Sequence, residues 1–326
     1  MPVLRLSFVL LAVLAVSACD SADPAPFVAQ PVVSAFLEAD GGFPEVRVTR
    51  TVALGDVYDP AAAAVSDATV RIERLATGTD TTVDVTVPYV YDAEVRAYVP
   101  DGPLPTVEPG RTYRLVVTAL GRAMTAVTTV PQAITVVEGP PAEIVYQSNA
   151  GGPSLRIATS SVAGRQSVYI ASTLALAADE FTPVVVDGAT RFRSQNLPGR
   201  FRPVPIVLQF LDCEPDGSAL VCDEDPRDAA AGTSPVINES SYTLLPDGTA
   251  LVNAPWLAFG FYGPTAVSLV ALDDALLDFV ETQTLQQNPT TISPGEIPNV
   301  TTNVRGGLGV FGSFSRVTAQ TTVLER

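Results

Sequence analysis

The sequence predicts an all-β protein: an N-terminal immunoglobulin-like β-sandwich followed by a second β-rich, sandwich- or barrel-like domain carrying one short helix. Two observations predict the strands. Apolar and polar residues alternate with a period of two in short runs along most of the chain. Turn formers such as Asp40-Gly41-Gly42, Thr77-Gly78 and Asp247-Gly248 close those runs. A third observation predicts the helix, because only residues 274–287 space their apolar side chains for one face of a helix, with Asp273 or Asp274 as N-cap.

The elements follow in order. Residues 20–30 are small, polar and broken by prolines, the composition of a tether. Strands are expected at 32–37, 46–52, 68–75, 82–87, 95–99, 112–120 and 124–130, about seven in a hundred residues, as in an immunoglobulin-like sandwich. Residues 131–141 hold three prolines and a glycine and suit a boundary. The expected division is 1–18 signal segment, 19–30 tether, 31–131 first sandwich, 132–141 linker and 142–326 second domain. In the second domain, strands are expected at 155–159, 167–171, 205–211, 241–245, 250–253, 257–262 and 266–272. After the helix, a proline-rich loop at 288–299 leads to a glycine-rich segment and a last strand at 316–324.

The first nineteen residues say where the chain goes. Arg5 precedes an apolar run, 6–16, too short to cross a bilayer core of about 30 Å as a helix, so it reads as a cleaved signal. The run ends in Val16-Ser17-Ala18-Cys19, a lipobox, which makes Cys19 the expected diacylated N-terminus of the mature protein. Two acyl chains give stable anchoring, so the expected partner is a membrane, reached through that lipid.

Composition removes whole classes of chemistry. The chain has no histidine, and all nineteen of its basic residues are arginine. Serine and cysteine triads, Ser-Lys dyads, Schiff-base lysines and histidine metal sites are therefore excluded. A net charge of -16 without a basic stripe argues against nucleic acid as a partner. No catalytic residue emerges.

Three constellations remain. Beyond Cys19, the only cysteines are Cys213 and Cys222, and in an exported chain a local disulfide is the leading reading, with two free thiols as the alternative. Around them, Asp212, Glu214, Asp216 and Asp223 fall at positions 1, 3, 5 and 12 of a loop with Gly217 at position 6, the spacing of an EF-hand calcium loop. The preceding run reads as a strand and position 12 is aspartate, so a disulfide-closed acidic loop competes with the calcium site. Calcium is the one cofactor the residues suggest. Gly307-Leu308-Gly309-Val310-Phe311-Gly312 satisfies GxGxxG, yet the residues after it alternate like a strand rather than opening a helix. A glycine-rich turn or bulge is favoured, and no nucleotide is expected. Trp256, the only tryptophan, sits in an apolar run that reads as core.

The closing stretch Asn303-Val304-Arg305-Gly306-Gly307-Leu308-Gly309-Val310-Phe311-Gly312 resembles the final motif of a Bacteroidetes-type lipoprotein family known as domain of unknown function 4249. The lipobox, an early Val32-Val33-Ser34-Ala35-Phe36 strand and Pro109-Gly110-Arg111-Thr112-Tyr113 agree with it. The resemblance implies a lipid-anchored outer-membrane protein, on the periplasmic or the outer face, often encoded near TonB-dependent transporters. The expectation is a binding or accessory module, possible partner a TonB-dependent receptor. Two other readings stay open: a carboxylate-based, calcium-assisted enzyme acting on glycans, and a structural or adhesive surface protein.

Overall fold

The computed structural model describes residues 26–78, 81–102, 104–147, 151–158, 161–176, 181–195, 202–287 and 300–326. The signal segment, Cys19, most of the tether and the 288–299 loop lie outside them. The chain enters at β1 (Pro31–Glu38), whose alternate residues Val33, Ala35 and Leu37 are buried, and returns antiparallel as β2 (Arg47–Arg50). A short helix, α1 (Pro60–Ala63), follows, started by Pro60 and by the Asp59 carboxylate, which accepts the Ala61 N–H at 2.9 Å.

Five strands then build one antiparallel sheet. They are β3 (Thr69–Leu75), β4 (Val83–Asp92), β5 (Ala97–Pro100), β6 (Thr112–Ala119) and β7 (Arg122–Thr129), in the order β5-β4-β3-β6-β7. One face of this sheet, carrying Ile72, Leu115, Val117 and Met124, packs against Val33, Leu37 and Val48 of β1 and β2. Apolar burial of that kind contributes roughly 1.5–3 kcal/mol per large side chain. Phe43 and Tyr113 meet edge-on inside it, ring centroids 5.9 Å apart.

The second half begins with β8 (Val136–Glu138), inside the stretch expected as linker, and β9 (Glu143–Val145). Next come β10 (Ser154–Ile157), β11 (Tyr169–Ala175), β12 (Thr182–Val186), β13 (Ala189–Gln195) and β14 (Arg202–Pro203). Residues 205–211, expected as a strand, instead form a helix, α2 (Pro205–Phe210). Pro205 occupies its first turn, where a missing N–H costs nothing, and Ile206 and Phe210 remain exposed, so the apolar run has no sheet face to fill. The remaining elements are β15 (Cys213–Asp216), β16 (Ala219–Cys222), β17 (Ala231–Thr233), β18 (Thr243–Leu244), β19 (Ala250–Asn253), β20 (Phe261–Leu272), α3 (Asp274–Gln287) and β21 (Leu308–Leu324).

These strands make a second sandwich and a satellite. Sheet β18-β19-β10-β8 packs Leu155, Ile157 and Val252 against Tyr169, Val267 and Leu269 of β11 and β20. The satellite sheet β12-β13-β16-β15 encloses a smaller core with Phe181, Leu211, Cys222 and Phe261. The architecture is thus all-β, as the periodicity predicts, with α3 as its one substantial helix.

One strand ties the halves together. Residues 308–314 of β21 pair parallel with β1, from Val32↔Leu308 to Glu38↔Phe314. Residues 314–323 pair antiparallel with β20, from Leu272↔Phe314 to Gly263↔Val323. A single sheet, β17-β11-β20-β21-β1-β2, therefore forms one layer of both sandwiches, and Phe311 and Val323 of the same strand sit in different cores.

Candidate functional site at the junction of the two halves

The glycine-rich motif before and within β21 is what lets that strand enter the first sandwich. Asn303 acts as a clip: its amide oxygen accepts the Phe311 N–H at 3.0 Å and its amide nitrogen donates to the Phe311 carbonyl at 2.8 Å and the Val127 carbonyl at 3.2 Å. Arg305 exchanges two backbone hydrogen bonds with Thr125 of β7. Gly309 has φ +118, and a Cβ on it would lie 1.9 Å from the Val33 carbonyl oxygen. No side chain fits there. At Gly312 a Cβ would meet the Leu276 Cβ at 2.8 Å, so the glycine lets α3 lie directly on the strand. A strand follows the motif, where a dinucleotide site needs a helix.

Where β7, β21 and α3 converge, a carboxylate is buried. Asp273 caps α3: one oxygen accepts the Leu276 N–H at 3.0 Å and also the Ser313 N–H of β21 at 3.0 Å. Its other oxygen accepts a hydrogen bond from the Thr128 hydroxyl of β7, which also lies 2.7 Å from the Ser313 hydroxyl. Burial pushes the Asp273 carboxyl above the usual carboxylate range, against the opposing pull of those hydrogen bonds. Three elements from both halves are thus fastened to one side chain.

Beside this node lies a cleft of about 480 Å³, lined by Thr128, Thr129, Gln132, Ser161, Asp273 and Asp274 among others. Its lining mixes these hydroxyl, amide and carboxyl groups with apolar Val127, Val130, Pro131 and Val162, and its position is the seam between the sandwiches. Ser161 and Ser167 pair hydroxyl to hydroxyl at 3.0 Å, and Arg165 donates to Asp274 at 2.7 Å. This arrangement offers hydrogen bonds to a polar ligand or a peptide edge. The other carboxylate lining the cleft, Asp274, is paired with Arg165, and both Asp273 oxygens already accept from the protein, which suits a fastener better than a proton donor.

Other carboxylates of the fold are tied to arginines. Glu73, buried on β3, takes Arg71 at 2.7 Å on one oxygen and Arg114 at 2.6 Å on the other. Burial raises its pKa, but the two guanidinium hydrogen bonds outweigh burial and hold it below the usual range. Asp84 and Glu108 share Arg74 and Arg111, and hydrogen bonds from Arg74 and Arg111 keep Asp84 low. Groups held this firmly ionised are poor general acids.

The residues singled out in sequence are found as follows. Cys213 and Cys222 are joined by a disulfide, and they stand directly opposite each other on β15 and β16, Cα atoms 4.0 Å apart. The stretch between them is a β-hairpin rather than an EF-hand loop. Asp212 precedes it with φ 46, Glu214 and Asp216 lie on β15, Asp216 pairs with Arg193 at 3.0 Å, and Asp223 pairs with Arg191 at 2.9 Å. The fold does not draw the four into one cluster: among the described residues no group of three or more acidic or cysteine side chains is placed to hold a metal ion. Cys19 lies outside the described residues. Trp256 is buried, donating its indole N–H to the Gly151 carbonyl at 3.0 Å and stacking edge-on against Tyr146.

Sequence reasoning reached Asp273 only as a possible helix cap. The signal that could have found the node is positional. With a period of two, Thr128 shares the buried face of β7 with Met124 and Ala126, and Ser313 follows Phe311 on β21, so polar residues stand at core positions on two strands.

The fold defines a class: an all-β protein of two sandwiches sharing one sheet, laced by a glycine-rich C-terminal strand. Its family follows from direct comparison. Residues 27–320 match a family described as domain of unknown function (DUF4249), and the chain belongs to that family. No curated protein matches it.

Proposed function

We propose that this protein is a lipid-anchored outer-membrane protein of the Bacteroidetes type that acts by binding, as an accessory module of a TonB-dependent uptake system. The observation that carries the reading is the lipobox Val16-Ser17-Ala18-Cys19 behind a short apolar run, in a chain of this family. Among the described residues no helix is long and apolar enough to cross a membrane, and the attachment in this reading is the lipid on Cys19. The junction cleft is the surface offered to the partner or its cargo: it mixes polar and apolar groups, borders the Asp273 node, and is formed by both halves.

Binding is preferred to glycan hydrolysis on chemical grounds. A glycosidase needs a carboxylic acid of raised pKa facing a second carboxylate across the scissile bond. Asp273 has the raised pKa but accepts three hydrogen bonds from the protein, and Glu73 and Asp84 are held ionised by arginines.

The test is a mild-detergent pull-down of tagged, lipidated protein from its own outer membrane, read by mass spectrometry. A stoichiometric TonB-dependent receptor is the expected companion. Recovery of the lipoprotein alone, while other outer-membrane complexes survive, overturns the accessory role. Acyl labelling of wild type but not of Cys19→Ser checks the anchor.

A further inference from the structure

The end of the first sandwich from which the tether departs is unlike the rest of the surface. Gln30 and Thr51 exchange hydrogen bonds, Gln30 N–H to Thr51 Oγ1 at 3.0 Å and Thr51 N–H to the Gln30 carbonyl at 2.9 Å. That pairing extends the β1–β2 register past Pro31↔Arg50, so the tether and the loop after β2 leave the sheet side by side. Phe27 and Val28 on one segment, and Leu54, Val57 and Tyr58 on the other, are all exposed, Leu54 and Val57 almost completely. Clustered exposed apolar residues on a soluble surface mark an interaction site.

The charge at this end supports the same reading. In a chain of net charge -16, most described arginines are paired with carboxylates, whereas Arg50, Arg96, Arg122, Arg305 and Arg326 are in no ion pair among the described residues. Arg50, Arg122 and Arg305 lie toward the tether end. Arg50 closes β2 and donates to the Ala62 carbonyl at 2.9 Å, Arg122 opens β7, and Arg305 is bridged to neighbouring Thr125. Contacts seen around Gly306 and Gly307 place that segment against Ala123 on one side and the Pro31 carbonyl on the other. Exposed Leu120 lies at the same end, in the turn before Arg122. Asp56 and Asp67 are acidic residues on neighbouring loops, and Asp59 is engaged in capping α1.

We propose that this end is a bilayer-docking face: Leu54, Val57 and Tyr58 enter the interfacial region while Arg50, Arg122 and Arg305 meet anionic lipid phosphates. The inference rests on the anchored reading of Cys19. Seven residues separate Cys19 from Phe27, eight backbone steps that span at most about 29 Å when fully extended, which holds this end at the membrane. Apolar side chains flanked by arginines match what an anionic bilayer surface binds. A single lipid tether then gains a second attachment that fixes orientation, pointing the junction cleft away from the lipid in a defined direction.

The experiment uses lipidated protein in vesicles of phosphatidylethanolamine and phosphatidylglycerol, with a nitroxide at Leu54→Cys, Val57→Cys or, as control, exposed Val185→Cys on β12. Labels at 54 and 57 are expected to gain accessibility to oxygen and lose it to an aqueous nickel chelate, while 185 stays aqueous. Equal nickel accessibility at all three positions overturns the docking face. The intact mass of the same sample reads acylation separately, so an absent lipid counts against the anchor alone. In that event vesicle co-sedimentation of the unlipidated mature chain decides. Leu54→Asp/Val57→Asp should then weaken binding about tenfold or more, and Arg122→Glu/Arg305→Glu should abolish the preference for phosphatidylglycerol over phosphatidylcholine. Unchanged binding in both variants refutes the proposal.

Discussion

Replacing Asp273 tests whether one carboxylate fastens the two halves. Asp273→Ala removes three accepted hydrogen bonds: the cap on Leu276, the Ser313 N–H of β21 and the Thr128 hydroxyl of β7. Loss of the cap costs about 1 kcal/mol. Leaving the buried Ser313 N–H without its acceptor costs about 1–3 kcal/mol more. The Thr128 hydroxyl keeps Ser313 Oγ as a partner and adds little. The expected loss is thus about 2–4 kcal/mol at neutral pH, read as a lower urea midpoint. Asp273→Asn retains an acceptor oxygen for the two N–H groups, and the Thr128 hydroxyl can turn to accept from the amide, so it should cost far less. The pair also separates charge from geometry. Burial raises the Asp273 pKa, so the folded state binds this proton more tightly than the unfolded one. Its contribution is therefore fully present below the unfolded pKa and is lost as pH rises through the folded pKa. In Asp273→Asn that dependence should vanish, flattening the stability profile above the ordinary carboxylate range. An Asp273→Ala midpoint within about 0.5 kcal/mol of wild type, or an asparagine variant as damaged as the alanine one, would refute the reasoning.

Further expectations concern the strand, the disulfide and the buried ion pair. Gly309→Ala places a methyl group 1.9 Å from the Val33 oxygen at φ +118, and should cost more than about 3 kcal/mol, read as protease sensitivity in both halves; a wild-type melt would contradict the packing. Reducing Cys213–Cys222 opens a small loop worth at most about 2.7 kcal/mol in the chain-entropy model, and because the bond sits within a paired hairpin, hydrogen exchange should quicken in β15 and β16 before it does in β6 or β20. Glu73→Gln should lower stability by about 1–3 kcal/mol at neutral pH by leaving Arg71 and Arg114 without their counter-charge. The sign is opposite to Asp273: the depressed Glu73 pKa gives stability present above its unfolded pKa and lost as pH falls through the folded one, so wild type and variant should converge in acid.

The sequence made the half-buried strands legible because each shows one face to the core and one to water. Residues 112–119 alternate cleanly and 69–72 do so up to the buried Glu73, and the helix bounds 274–287 emerge from cap and spacing alone. The first half of β21 was hidden for a physical reason. Its glycines are required by backbone approach to Val33 and Leu276, contacts hundreds or tens of residues away, and they erase the alternation that marks a strand. Residues 205–210 misled for another: an apolar run of that length suits a strand or a helix, and only the tertiary surroundings decide. The disulfide is legible as two nearby cysteines in a chain whose first residues read as an export signal. Neither the pairing of Asp216 with Arg193 nor that of Asp223 with Arg191 could be, since each needs the register of β13 against β16.

The shared strand sets the order in which this protein can be completed. β1 is among the first segments made, but its parallel neighbour begins at Leu308, so the first sandwich has one layer of only two strands until nearly all of the chain exists. Contacts so distant along the chain form slowly, and meanwhile β1 presents an unpaired edge open to other strands. The 17 residues of β21 close both halves in a single event, like the last stave that tightens a cask. A stop codon or frameshift just upstream of Leu308 would therefore spoil the first hundred residues as thoroughly as the last hundred.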